Sequence, residues 1–157
     1  MSFITPVFVV VGTFIGMEAV AWLAHRFLMH GPMWYFHEDH HTKGEDGFFE
    51  KNDTFFLIFA TPGISFIYAG VVLGFEAPYF WIGLGITLYG TAYFLIHDVF
   101  IHQRFKWLRN ANTIYFRAIR RAHKMHHKHL GKHDGECFGM LWVPLKYYKE
   151  AASSLRG

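Results

Sequence analysis

The chain has 157 residues, of which 52 % are hydrophobic and 17 % charged. Its length gives one domain, 1–157, and its apolar content excludes disorder. The net charge of +3 sits beside long uncharged runs, which excludes a nucleic-acid binder and points to basic loops at a membrane. One cysteine, Cys137, excludes an intramolecular disulfide framework and a Cys-rich zinc site.

Glu18 is the only charged residue before Arg26. The run 3–23 is long enough to cross a hydrocarbon core. No basic residue precedes it and histidines follow it directly, so it reads as a span and not a signal peptide. A second uncharged run covers 54–75, with Pro62-Gly63 as a tolerated kink. Glu76-Ala77-Pro78 then makes a tight turn, and a third span covers 77–97. Spans two and three read as a helical hairpin.

Arg26, Lys43 and Lys51 lie between spans one and two, and Arg104, Lys106, Arg109 and the remaining basic residues follow span three. The positive-inside rule places both connecting segments, 25–53 and 98–157, in the cytoplasm. Residues 112–129 read as a cytoplasmic helix. The apolar patch in 137–148 is too short to span and reads as interfacial or re-entrant. Gly12-x3-Gly16 and Gly70-x3-Gly74 match the small-residue contact pattern, read as close packing within the chain. The fold class is all-α: an integral bundle of membrane helices in the inner membrane, with a cytoplasmic histidine-rich di-metal site.

Ten of the twelve histidines fall in four groups. They are His25-x4-His30, His37-x2-His40-His41, His97-x4-His102 and His123-x2-His126-His127. On an α-helix the H-x2-H-H spacing puts three imidazoles on one face. Five residues turn an ideal helix by roughly 500°, leaving an H-x4-H pair about 140° apart. Such a pair reaches one site only if the helix ends or contains a π-type turn between its members; otherwise the two face different ions. One zinc takes three or four ligands, so ten imidazoles suit two metal ions with a coordination position left open. Imidazole accepts Fe, Zn, Cu and Ni, so zinc can stand in for another metal in a purified sample. Glu38, Asp39 and Asp98 sit beside ligand candidates and could accept the other ring N–H. For Asp98 the divergence of neighbouring helical side chains points to a histidine of another group, with Arg104 as an ion-pair partner. His129 and His133, outside the groups, read as packed or solvated.

The order of these groups in a short membrane chain resembles the bacterial β-carotene 3-hydroxylases, of the fatty acid hydroxylase and sterol desaturase superfamily of non-haem di-iron membrane oxygenases. The segments that carry the likeness are His30-Gly31-x2-Trp34-x2-His37-Glu38-x-His40-His41, Asn52-Asp53, His97-Asp98-x3-His102-Gln103-Arg104, Ala122-His123-x-Met125-His126-His127 and Gly131-Lys132-x2-Gly135-x-Cys137-Phe138-Gly139. The resemblance covers nearly the whole chain. It implies O2-dependent hydroxylation of C3 on carotenoid β-ionone rings, from β-carotene to β-cryptoxanthin to zeaxanthin, at two Fe ions held by the ten grouped histidines. It also implies about four membrane helices against the three strong spans here.

An unactivated C–H bond yields only to O2 chemistry at a redox metal. No dinucleotide fingerprint and no iron–sulfur cysteine set is present, so electrons come from ferredoxin and its reductase. Arg117, Arg120, Arg121 and Lys124 are the candidate docking set, with lipid headgroups as the competing partner. A carotenoid would enter from the bilayer, past candidates Phe14, Trp22, Tyr89, Tyr93 and Phe94. The alternative reading is a hydroxylase, desaturase or ketolase of another membrane lipid. A metal-handling transporter is more distant. It would line a mid-membrane path with ligands, whereas the span centres hold no histidine and Glu18 lies near one end.

Overall fold

The computed structural model describes residues 4–42 and 47–155; Lys43 and the first residue of the 3–23 span lie outside them. The described residues form helices and no strands. Helix α1 (Ile4–Leu23) runs directly into a π-helical turn, Ala24–Met29. Helix α2 (Trp34–His41) follows, then a short 3-10 turn, Lys51–Asp53, that leads into α3 (Thr54–Leu73). Gly74, at φ 93°, ends α3 in a conformation that side chains resist. Helix α4 (Tyr79–Phe94) returns beside α3 and runs into a second π-helical turn, Leu95–Ile101. Helices α5 (Ile114–His126) and α6 (Leu145–Ser153) pack on one another.

Among the described residues three stretches are long and apolar enough to cross a membrane: Ile4–Met29, Lys51–Leu73 and Tyr79–Ile101. Pro62 stands inside α3 without ending it. The sequence 137–148 adds no fourth such stretch. Its first part is a non-helical loop in which Met140 and Leu141 are buried against Ala21 and Tyr89 while Trp142 faces outward. Only its last residues join α6.

Helix α4 lies between α1 and α3. Gly85 admits α1, since a Cβ there would stand 2.7 Å from the Thr13 side chain, and Gly83 admits α3 at 2.6 Å from the Ile67 nitrogen. Gly70 likewise meets Phe80 across the hairpin, whereas Gly74, the other member of its expected contact pair, meets nothing within 4 Å. The close packing expected of Gly12 and Gly16 is not found: neither has a neighbour within 4 Å of its Cβ position. Both glycines face away from α4, on the outer side of α1, where the spacing alone could not place them.

Helix α5 is shorter than the expected 112–129. Thr113 caps it, its hydroxyl accepting the Phe116 N–H at 3.4 Å, and the chain leaves the helix after His126. Its inner face carries Ala118, Ile119, Ala122, His123 and His126, all buried.

Candidate metal centre

All ten grouped histidines converge at the end of the bundle where both π turns lie. The π turns resolve the H-x4-H geometry. The His30 N–H donates to the His25 carbonyl at 3.0 Å and the His102 N–H to the His97 carbonyl at 2.9 Å. Each is a five-residue step, which widens the turn and brings both imidazoles of a pair to one side. The α-helical triplets do the opposite: their neighbouring members divide between two sites. His25, His30, His37, His41 and His126 form one set whose ligand atoms lie within 4.8 Å of each other. His40, His97, His102 and His123 form a second, within the same limit. His127 lies between them, with ring centroids 4.6 Å from His41 and 4.5 Å from His123.

The ring hydrogens show why these sets suit metal ions. Nδ1 donates to the carbonyl of Phe138 from His25 (3.0 Å), of Lys132 from His30 (3.1 Å), of His129 from His41 (3.0 Å) and of Glu136 from His126 (2.9 Å). The His37 Nδ1 donates to Asn52 Oδ1 at 2.7 Å. In the second set His40 donates to Glu50 Oε2 at 2.9 Å and His97 to Asp98 Oδ2 at 3.1 Å. A neutral imidazole with its proton on Nδ1 presents a lone pair at Nε2. These Nε2 atoms then face one another, at 3.1 Å for His25–His37, 3.2 Å for His41–His37, 3.3 Å for His30–His126 and 2.9 Å for His97–His40. The His102 and His123 Nε2 atoms are 2.8 Å apart. Opposed lone pairs repel unless a cation stands between them, and adjacent ligands about 2.1 Å from one ion are about 3 Å apart. The His127 Nε2 is buried without a hydrogen-bond partner among the described residues, as a further ligand atom would be.

Burial first, with repulsion between rings, keeps His37, His41, His126 and His127 in the neutral form that binds metal. His41 falls to about 4 and His127 to about 3. His37 and His126 fall to about 2, the former despite the Asn52 hydrogen bond.

The neighbouring carboxylates differ from expectation. Glu38 is exposed, and Asp39 accepts the backbone N–H of Lys51 and reaches no ring. Asp98 does accept a ring N–H, but from His97 itself. The Cβ directions diverge, yet Nδ1 and the short carboxylate both lie close to the backbone and meet side by side. Arg104 pairs with Asp98 Oδ1 at 3.3 Å, with Glu50 at 3.2 Å and with Asp53 at 2.7 Å. The sequence reading missed Glu50. Its one local signal is the reciprocal cap with Asp53, whose Oδ2 accepts the Glu50 N–H at 3.0 Å. His129 takes part through its backbone carbonyl only, and the His133 side chain is exposed.

An apolar cavity of about 410 Å³ lies among α1, α3 and α4 and reaches His97, Asp98 and Asn52. Tyr89, Tyr93 and Phe94 line it, whereas Phe14 packs edge-on against Tyr89 and Trp22 against Phe138. On the far side, Arg121, Lys124, Lys128 and Met125 line a basic hollow that reaches His127. Of the other expected docking residues, Arg120 turns inward over the Phe100 ring at 4.2 Å, and Arg117 is bonded to Asn112 and Ser154.

The family model for fatty acid hydroxylase matches residues 10–145. The β-carotene hydroxylase of Pantoea ananas is 40 % identical over 144 residues, 92 % of this chain and 81 % of that protein. That of Paracoccus sp. (strain PC1) is 36 % identical over 141 residues, 89 % and 85 % of the two chains. The chloroplastic β-carotene hydroxylase 1 of Capsicum annuum is 41 % identical over 138 residues, 85 % of this chain and 42 % of that one. No solved structure matches. With the histidine groups, the helices and these relatives in agreement, the chain belongs to the fatty acid hydroxylase family, grouped with the bacterial β-carotene hydroxylases.

Proposed function

We propose that this chain hydroxylates C3 of carotenoid β-ionone rings at two iron ions held by the ten grouped histidines. One observation carries the reading: two sets of opposed imidazole nitrogens lie side by side, and an apolar cavity between membrane-length helices reaches the second set at His97. The first ion takes His25, His30, His37, His41 and His126, the second His40, His97, His102 and His123, and His127 serves the space between. When bound, the iron pair supplies the O2 activation that an unactivated C–H bond requires.

The residues of the chain bind, orient and exclude water. The cavity between α3 and α4 accepts the ring end of the substrate, with Phe55, Ile86, Gly90, Tyr93 and Phe94 around it and His97 at its end. A cavity of about 410 Å³ is too small for a whole carotenoid, so the polyene stays in lipid and one ring is presented at a time. The apolar walls keep bulk water from the reacting carbon. Main-chain carbonyls, Asn52, Glu50 and Asp98 hold the imidazoles in one tautomer. The ring C–H becomes C–OH with one atom of O2, and the other atom leaves as water. Two electrons and two protons come from outside, through reduced ferredoxin and its reductase. The acidic donor docks over the basic hollow of Arg121, Lys124 and Lys128, which leads to His127. These basic residues face the cytoplasm, with the chain in the inner membrane.

The test is expression in bacterial cells that accumulate β-carotene, with products read by chromatography and mass. Zeaxanthin and β-cryptoxanthin are expected. A ketone, a new double bond, or unchanged carotene beside a hydroxylated acyl lipid would replace the substrate and reaction named here. Gly90→Phe sharpens the result. Gly90 lines the cavity and nothing lies within 4 Å of its Cβ position, so a side chain there starts into the cavity space. Product should fall at least about 10-fold with metal content unchanged.

A further inference from the structure

Glu18 stands about two turns before His25 and is the only charged residue in α1. It is 9 % exposed. A carboxylate in an apolar bundle is costly unless hydrogen bonds satisfy it. Here Oε1 accepts the backbone N–H groups of Met140 at 2.9 Å and Trp142 at 3.1 Å. The Leu141 N–H lies between the two oxygens, at 3.0 and 3.2 Å, and the Tyr89 hydroxyl donates to Oε2 at 2.7 Å. Three consecutive amides of one loop therefore end on one side chain. Nothing in the hydroxylation reaction uses this group.

The same loop fixes the first histidine set. It presents the Phe138 carbonyl to His25 and the Glu136 carbonyl to His126. Helix α1 and its π turn thus grip the loop twice, accepting from it at Glu18 and donating to it at His25. Gly139 lies between the two grips. A Cβ there would stand 2.6 Å from the Trp142 carbonyl oxygen and 3.2 Å from Glu18 Oε1, so the loop folds around the carboxylate too tightly for any side chain.

We infer that Glu18 is a positioning residue for the metal centre, a clasp that sets the 136–142 loop where its carbonyls orient the imidazoles of the first set. The inference rests on the two-ion reading above. Without the clasp the loop shifts, His25 and His126 lose their fixed acceptors, and the first ion is held less firmly. The second set keeps its own acceptors, Glu50 and Asp98.

The experiment uses the full chain in lipid nanodiscs, loaded with ferrous iron and challenged with a chelator. Iron loss is followed together with amide hydrogen exchange over 136–142. Glu18→Gln replaces one accepting oxygen by a donor that opposes the loop amides. Gly139→Ala keeps every polar group and pushes the loop off the carboxylate. Each variant should release one of the two ions roughly 10- to 100-fold faster, leave the other at its wild-type rate, and exchange faster at 140–142. Where Glu18→Gln does not fold, Gly139→Ala decides. Wild-type retention of both ions in the variants, or equal acceleration of both, overturns the clasp alone. A wild-type chain that binds fewer than two ions overturns the two-ion reading and the clasp with it.

Discussion

The two histidine sets sit side by side but are oriented by different chemistry. In the first, the Nδ1 hydrogens go to neutral oxygens: four main-chain carbonyls and the Asn52 amide. In the second, His40 and His97 donate to carboxylates, Glu50 and Asp98. Arg104 joins these two carboxylates to Asp53, so three acids share one guanidinium. An imidazole that donates to a carboxylate is a stronger metal donor than one that donates to an amide. The first set is thus fixed mainly by main-chain carbonyls, the second by carboxylate side chains. The difference teaches that the sets respond to different perturbations.

The largest effect erases the comparison. On the proposed two-ion reading, His→Ala at any of the ten grouped positions would open a coordination site and leave facing imidazoles without a common ion. Zeaxanthin formation in carotene-accumulating cells should fall below detection. Near-normal product from several such variants would break the ten-ligand assignment.

The next effect separates the sets. Glu50→Gln and Asp98→Asn keep the shape and one acceptor oxygen but remove the charge. Each should weaken retention of one ion of the pair roughly 10- to 100-fold, measured as metal loss to a chelator, with protein yield little changed. Asn52→Ala removes the only side-chain acceptor of the first set and should weaken the other ion. The same ion lost in all three variants would break the division. A fall in yield with normal activity per bound metal would make Asp98 an ion-pair residue for Arg104 alone.

Much of the first level was legible from spacing. The apolar runs marked the long helices, and H-x2-H-H on a helix marked the triplets. The choice left open by H-x4-H, between a helix end, a π turn and separate ions, was settled by the Ala24–Met29 and Leu95–Ile101 turns. What sequence could not show is mostly main chain. A carbonyl acceptor leaves no residue signature, so Lys132, Glu136 and Phe138 carried no trace of their roles. Glu50 lies ten residues from His40, with nothing local to pair them. Glu18 showed only its place near one end of a span, because its partners are the Tyr89 hydroxyl and loop amides far along the chain. Helix packing also hid the orientation of Gly12 and Gly16, since their spacing is the same on a packed and an unpacked face.

The smallest expected effect is the sharpest test of the difference between the sets. His129 and Lys132 serve the first set only through carbonyl oxygens, accepting from His41 and His30. Any residue except proline or glycine offers the same carbonyl on similar backbone geometry. His129→Ala and Lys132→Ala should therefore leave metal content and product close to wild type, although each lies in direct contact with a ligand imidazole. At Glu50 and Asp98 the acceptor is the side chain, and the corresponding changes should be costly. Metal content of the four variants, measured side by side, checks both halves at once. A large loss at His129→Ala would make its imidazole an eleventh ligand or a proton carrier, and the first set would no longer be fixed by main-chain carbonyls and Asn52 alone.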